Sequence, residues 1–135
     1  MLRDFFSKKA LPLSGVPAVR RLKSYSAQSG YVYQYFHEGQ RPFRGGGESG
    51  LEFVFTVSAD RKRWHPVSVL VAEEALRAWE EEHAHPLSST ERYAVSKMAL
   101  FQAFDERATP DLMKLEVRLR AADVAAILET LGLES

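Results

Sequence analysis

Three groups of side chains in this 135-residue chain have types and spacing that could do chemistry. His83 and His85, behind Glu80, Glu81 and Glu82, offer imidazole and carboxylate groups in the number a divalent metal takes. Residues i and i+2 of a helix do not face each other, however, and no H-E-x-x-H frame surrounds them. The dipole at a helix C-terminus already accounts for histidines there. A small-molecule or metal-dependent enzyme around His83 and His85 is therefore an alternative only, with no metal ligand, catalytic residue or cofactor assigned.

The second group, Arg44-Gly45-Gly46-Gly47-Glu48-Ser49-Gly50, contains a literal G-x-G-x-x-G. In dinucleotide folds such a turn follows a strand and opens a helix, so that backbone N–H groups meet pyrophosphate. Here a strand-like run follows, and none of the partner motifs of a kinase is present. Four glycines between two strands predict a flexible hairpin loop.

The third group is the richest. Tyr25, Tyr31, Tyr33, Tyr35 and Phe43 are interleaved with Arg20, Arg21, Lys23, Arg41 and Arg44, and Arg61-Lys62-Arg63-Trp64 follows. Aromatic rings on a sheet beside cations are what single-stranded nucleic-acid binders use for stacking and phosphate contact. Tyrosine is also a strand former that packs its ring and wets its hydroxyl, and tyrosine and arginine are enriched where proteins meet. The candidate binding residues are Tyr31, Tyr33, Tyr35, Arg41, Phe43, Arg44, Arg61, Arg63 and Trp64.

The elements that must position these residues form one predicted domain, 1–135. Residues 1–29 read as an irregular lead-in interrupted by Pro12, Gly15 and Pro17, with one short amphipathic turn over Leu2 to Ala10. A meander over 30–71 follows, with strands at Tyr31 to Phe36, Leu51 to Ser58 and Val67 to Val71. Leu51, Phe53, Phe55 and Val57 alternate with polar neighbours, and Val67, Val69 and Val71 extend their face. Two helices occupy 72–106. The first, Ala72 to Ala84, carries a stripe of Ala72, Ala75, Leu76, Trp79 and His83, and the second begins at a Ser88–Glu91 capping box. An edge strand and a last helix fill 114–131. Leu115, Val117 and Leu119 face inward in that strand, and in the helix Asp123 suits the first turn while Gly132 ends it, with Leu133 folding back on Leu128. The fold class is α+β, a four-stranded, mainly antiparallel sheet covered by helices in the order β-β-β-α-α-β-α.

Composition bounds the function. Cysteine is absent, which removes disulfides, thiolate nucleophiles and cysteine-ligated metals. No apolar run reaches the length of a membrane span, and the N-terminus lacks the apolar core of a secretory signal, so an uncleaved cytoplasmic protein is the expectation. Net charge is zero, yet residues 1–63 hold 11 basic and 5 acidic groups while residues 64–135 hold 7 and 13. Such polarity suits complementary packing of halves or subunits better than a nucleic-acid domain, which is usually basic overall. The leading expectation is a small non-enzymatic interaction or binding module that self-associates, as a homodimer, through an open sheet face. The alternative is single-stranded nucleic-acid binding by a tyrosine-lined sheet with basic loops.

Overall fold

The computed structural model describes residues 11–132. Its elements are β1 (Lys23–Ser26), β2 (Val32–Gly45), β3 (Glu48–Ser58), β4 (His65–Ala72), α1 (Glu73–His83), α2 (Ser89–Glu106), a 3-10 turn (Pro110–Lys114), β5 (Val117–Leu119) and α3 (Ala121–Thr130). The architecture is α+β, but the sheet has five strands rather than four, in the spatial order β1-β2-β3-β4-β5. The first four are antiparallel; β5 runs parallel to β4, because α1 and α2 carry the chain back before it pairs. The expected Leu2 to Ala10 turn and the Leu133 contact lie outside the described residues.

The extra strand, β1, sits within the segment expected to be irregular. Four residues of sequence KSYS are too short and polar to show a period. Tertiary contacts hold them instead: the Tyr25 ring stacks on Phe101 at 4.3 Å, and its hydroxyl donates to Asp105 Oδ2 at 2.8 Å. Asp105 Oδ1 also accepts from the Gln28 N–H at 2.9 Å, which fastens the β1–β2 turn to the end of α2.

β2 and β3 are longer than their apolar alternation suggests. The glycine segment is not a flexible loop: the strands pair through Gly45 and Glu48, leaving only Gly46 and Gly47 as the turn. Their φ angles are 61° and 79°, positive at both positions as a type I′ hairpin requires. A bulge at His37/Gly39 inserts one residue into β2. The side facing the helices therefore changes from Tyr33, Tyr35 and His37 to Gln40 and Pro42, and the period is lost at that point.

All three helices pack on the face carrying Phe53, Phe55, Val57, Val67, Val69 and Val71, forming one buried cluster with Leu76, Trp79, Leu100, Phe104, Ile127 and Leu128. The Ser88–Glu91 capping box is present at α2, with Ser88 Oγ accepting the Glu91 N–H at 3.1 Å and Glu91 accepting the Ser88 N–H at 2.9 Å. Glu80 of α1 joins the helices by accepting the Leu87 N–H at 2.7 Å and pairing with Arg92 at 3.3 Å. At α3, Asp123 accepts the Arg120 N–H at 2.9 Å. The edge strand is shorter than expected: residues through Lys114 form the 3-10 turn, and Leu115 is exposed rather than inward. Arg107 takes over the anchoring of this segment, donating to the carbonyls of Leu112, Leu115 and Glu116 at 2.8, 2.7 and 2.9 Å.

Candidate functional site

The tyrosines at and just before the start of β2 divide between core and surface. Tyr33 and Tyr35 are buried at 0% and 4% exposure, on the helix-covered face, whereas Tyr31 remains 37% exposed. Tyr33 stacks on Phe104 at 4.2 Å, and Tyr35 meets Phe101 edge-on at 5.5 Å. These two rings are the seat of α2, so neither is available on an open face. Burial pushes the phenols of both upward.

The remaining predicted residues do not converge. Phe43 lies roughly 35 Å along the strand from Val32, at about 3.3 Å rise per residue. At the far end, Phe43 and Arg44 border a shallow depression with Glu52, Ser68 and Arg118. Arg41 is already engaged: its Nε and Nη2 donate to Glu52 at 3.0 and 3.4 Å, and its Nη1 reaches the Leu11 carbonyl at 3.3 Å. Burial alone would raise the Glu52 carboxyl, but hydrogen bonds from Arg41 and Ser68 and the Arg41 charge hold it below its ordinary value. At the near end, Tyr31 and Arg63 border a second depression. Arg63 is also paired, with Asp60 at 3.2 Å. Backbone N–H groups of Arg63 and Lys62 hold the Asp60 carboxyl far below the carboxylate range, which fixes a loop where Arg61 sits exposed at φ 64°.

On the face away from the helices, one aromatic group remains accessible. Trp64, 39% exposed, lies 6.0 Å from Phe36, and the Arg20 guanidinium stands 5.0 Å over the Phe36 ring. Arg20 pairs with Glu38 at 3.2 Å, and Glu38 accepts the Thr56 hydroxyl. Val32, 46% exposed, shares this face two pleats from Phe36. Arg20 is thus paired within the chain, while Arg61 and Lys62, exposed in the loop before Trp64, have no ion pair among the described residues.

His83 and His85 serve the helix end. His83 stacks on Trp79 at 4.2 Å with Nδ1 3.0 Å from the Trp79 carbonyl, and His85 lies 3.3 Å from Glu91. Among the described residues no three His, Cys, Asp or Glu side chains are grouped to hold a metal.

Sequence reasoning set His37 aside as a lone histidine with less support than His83 and His85. It lines a cleft of about 320 Å³ between the lead-in, β2 and α2, with Arg21, Lys23, Tyr35, Tyr93 and Lys97 among the other walls. The His37 ring lies 4.6 Å from Tyr93 and 5.3 Å from Phe55, and its buried Nε2 has no hydrogen-bond partner among the described residues. Burial lowers its basicity, opposed by the Gly39 backbone and the Glu38 charge. Burial also lowers the Lys97 ammonium, and the neighbouring Lys23 charge adds to the effect. The available signal was His37-Glu38-Gly39 itself, since a glycine inside a strand marks a bulge, and bulges are common beside functional sites.

Compared with known proteins, the chain matches no family model, no curated protein and no solved structure. The geometry therefore carries the functional reading alone. Among the described residues no helix is long and apolar enough to cross a membrane.

Proposed function

We propose that this protein is a non-enzymatic interaction module that forms a homodimer through the helix-free sheet face, at the end bearing Val32, Phe36 and Trp64. The observation that carries this reading is the accessible Trp64–Phe36–Arg20 group beside exposed Val32. Aromatic residues and arginine are enriched at protein interfaces, and charge is depleted at their centres. A second copy is the favoured occupant on charge grounds. Arg20–Glu38 and Arg41–Glu52 pair within the face, so these charges do not oppose the meeting of two identical faces. The short edge strand β1 and the exposed Leu22 before it border the same end.

The test is native mass spectrometry with size-exclusion light scattering on the wild-type chain and on Val32→Glu and Trp64→Glu. A dimer of the 15.3 kDa chain is expected, reduced to monomer by either substitution without loss of the thermal transition. A wild-type monomer at about 100 μM, well above the micromolar constants of ordinary interfaces, would refute the homodimer. A dimer unaffected by both variants would refute this face.

A further inference from the structure

The cleft around His37 has a chemistry of its own. Three cations, Arg21, Lys23 and Lys97, border it, and no carboxylate does. Among the described residues none of the three has an ion-pair partner, although most arginines nearby are paired. Lys23 and Lys97 arrive from different elements, the start of β1 and the middle of α2, and both border the cleft; burial, and after it the Lys23 charge, lowers the Lys97 ammonium. An anion placed between them relieves that repulsion. The remaining wall is aromatic and apolar, with Tyr93 and His37 4.6 Å apart and Val19 67% exposed.

The support beneath this wall is closely packed. His37 stands at the bulge of β2, and Gly39, at φ 148°, brings its backbone against the lead-in so closely that a Cβ there would lie 2.8 Å from the Ser14 carbonyl oxygen. Backbone hydrogen bonds between Ser14 and Gln40, at 2.7 and 2.8 Å, close the contact from both directions. The lead-in that supplies Arg21 is thereby tied to the strand that supplies His37. A volume of about 320 Å³ falls at the lower end of small-molecule sites. The orphaned Nε2 of His37 is a further polar group with unused capacity, which buried groups rarely leave unmade.

We propose that this cleft binds a small organic anion, a carboxylate or phosphate monoester on a planar body, with Lys97, Lys23 and Arg21 at the anionic head and Tyr93 and His37 along the body. The cleft shares Phe36 with the proposed dimer face but not Val32 or Trp64, so a monomeric Val32→Glu chain keeps the cationic head and still binds. The experiment is a two-dimensional NMR titration of the full chain, isotope-labelled in backbone and histidine, with salicylate, phenyl phosphate and neutral salicylamide. Saturable shifts at His37, Tyr93 and Lys97 with at least one of the two anions, and none with salicylamide, are expected. Lys97→Met weakens that binding about tenfold, as loss of a charge-assisted contact should, whereas Arg77→Met on the exposed side of α1 does not. Equal response to salicylamide, shifts elsewhere in the molecule, or no saturable response to either anion would overturn the proposal. The wild-type comparison decides the matter even if Lys97→Met is poorly folded.

Discussion

Replacing Gly50 by alanine tests the closest approach in the sheet. Gly50 lies opposite Phe43 on one side and Ala72 on the other, where β4 turns into α1. A Cβ added there would overlap the carbonyl oxygen of Val71 outright and lie 2.9 Å from both the Ala72 Cα and the Glu73 backbone nitrogen. All three neighbours are backbone, so no side chain can rotate away. Relief needs β3 and β4 to separate by on the order of 1 Å, an overpacking cost of about 1–3 kcal/mol. Lost or stretched ladder bonds add about 1 kcal/mol each. The sum, about 3–5 kcal/mol, lowers the melting temperature of a chain this size by about 10–15 °C. Urea and thermal unfolding followed by circular dichroism measure it directly. Gly45→Ala is the internal control, because a Cβ there meets nothing within 4 Å, and its stability should stay within about 0.5 kcal/mol of wild type. A Gly50→Ala transition within about 2 °C of wild type, a shift worth less than about 1 kcal/mol, would refute the packing argument.

Two further outcomes follow from single side chains. Arg107→Ala strands three carbonyls, those of Leu112, Leu115 and Glu116, and removes a guanidinium from a half-buried position; a loss of about 2 kcal/mol in urea unfolding is expected, with faster amide exchange confined first to 110–117. For His37, burial makes the folded-state pKa lower than the unfolded one, despite the opposing Gly39 and Glu38 contributions. The unfolded chain then binds the proton more readily, so the His37 contribution is fully present above its unfolded value of about 6.5 and is lost as pH falls through the folded value. Stability measured from pH 8 down to about pH 5 should decline, and His37→Phe should flatten that decline. An unchanged slope in the variant would remove the histidine from the account.

Legibility in the sequence followed the period of the apolar residues. β3 and β4 were readable because Phe53, Phe55 and Val57, with Val67, Val69 and Val71, each keep a strict alternation against one covered face. α2 was readable from its capping box, a local device that needs only Ser88 and Glu91. β1 was not, because its order comes from the Tyr25–Phe101 stack and the Asp105 hydrogen bonds, which join residues remote in sequence. Nor was the length of β2: one inserted residue at the bulge exchanges its faces, and a reader following Tyr33 and Tyr35 loses the strand at His37. The glycine run misled in the other direction. Four glycines suggested slack, but two make a tight turn and Gly50 marks a near-collision of backbones.

The same break in period explains why the candidate site was the least legible part. A tyrosine ladder on a strand states that its rings share a face, but not which face the helices will take. Here α2 brings Phe101 and Phe104 onto the tyrosines, Phe104 stacking on Tyr33 and Phe101 meeting Tyr35 edge-on, whereas the opposite face offers Gln34, Thr56 and Ser58 in their place. Once Tyr33 and Tyr35 are committed to the core, the functional capacity of β2 moves to its exceptions: Phe36 and Val32 on the other side, and His37 at the bulge. Those exceptions come into play only through partners far along the chain, Trp64 and Arg20 in one case, Tyr93 and Lys97 in the other. Spacing within β2 cannot supply that information, whereas the fold supplies it as soon as the register is fixed.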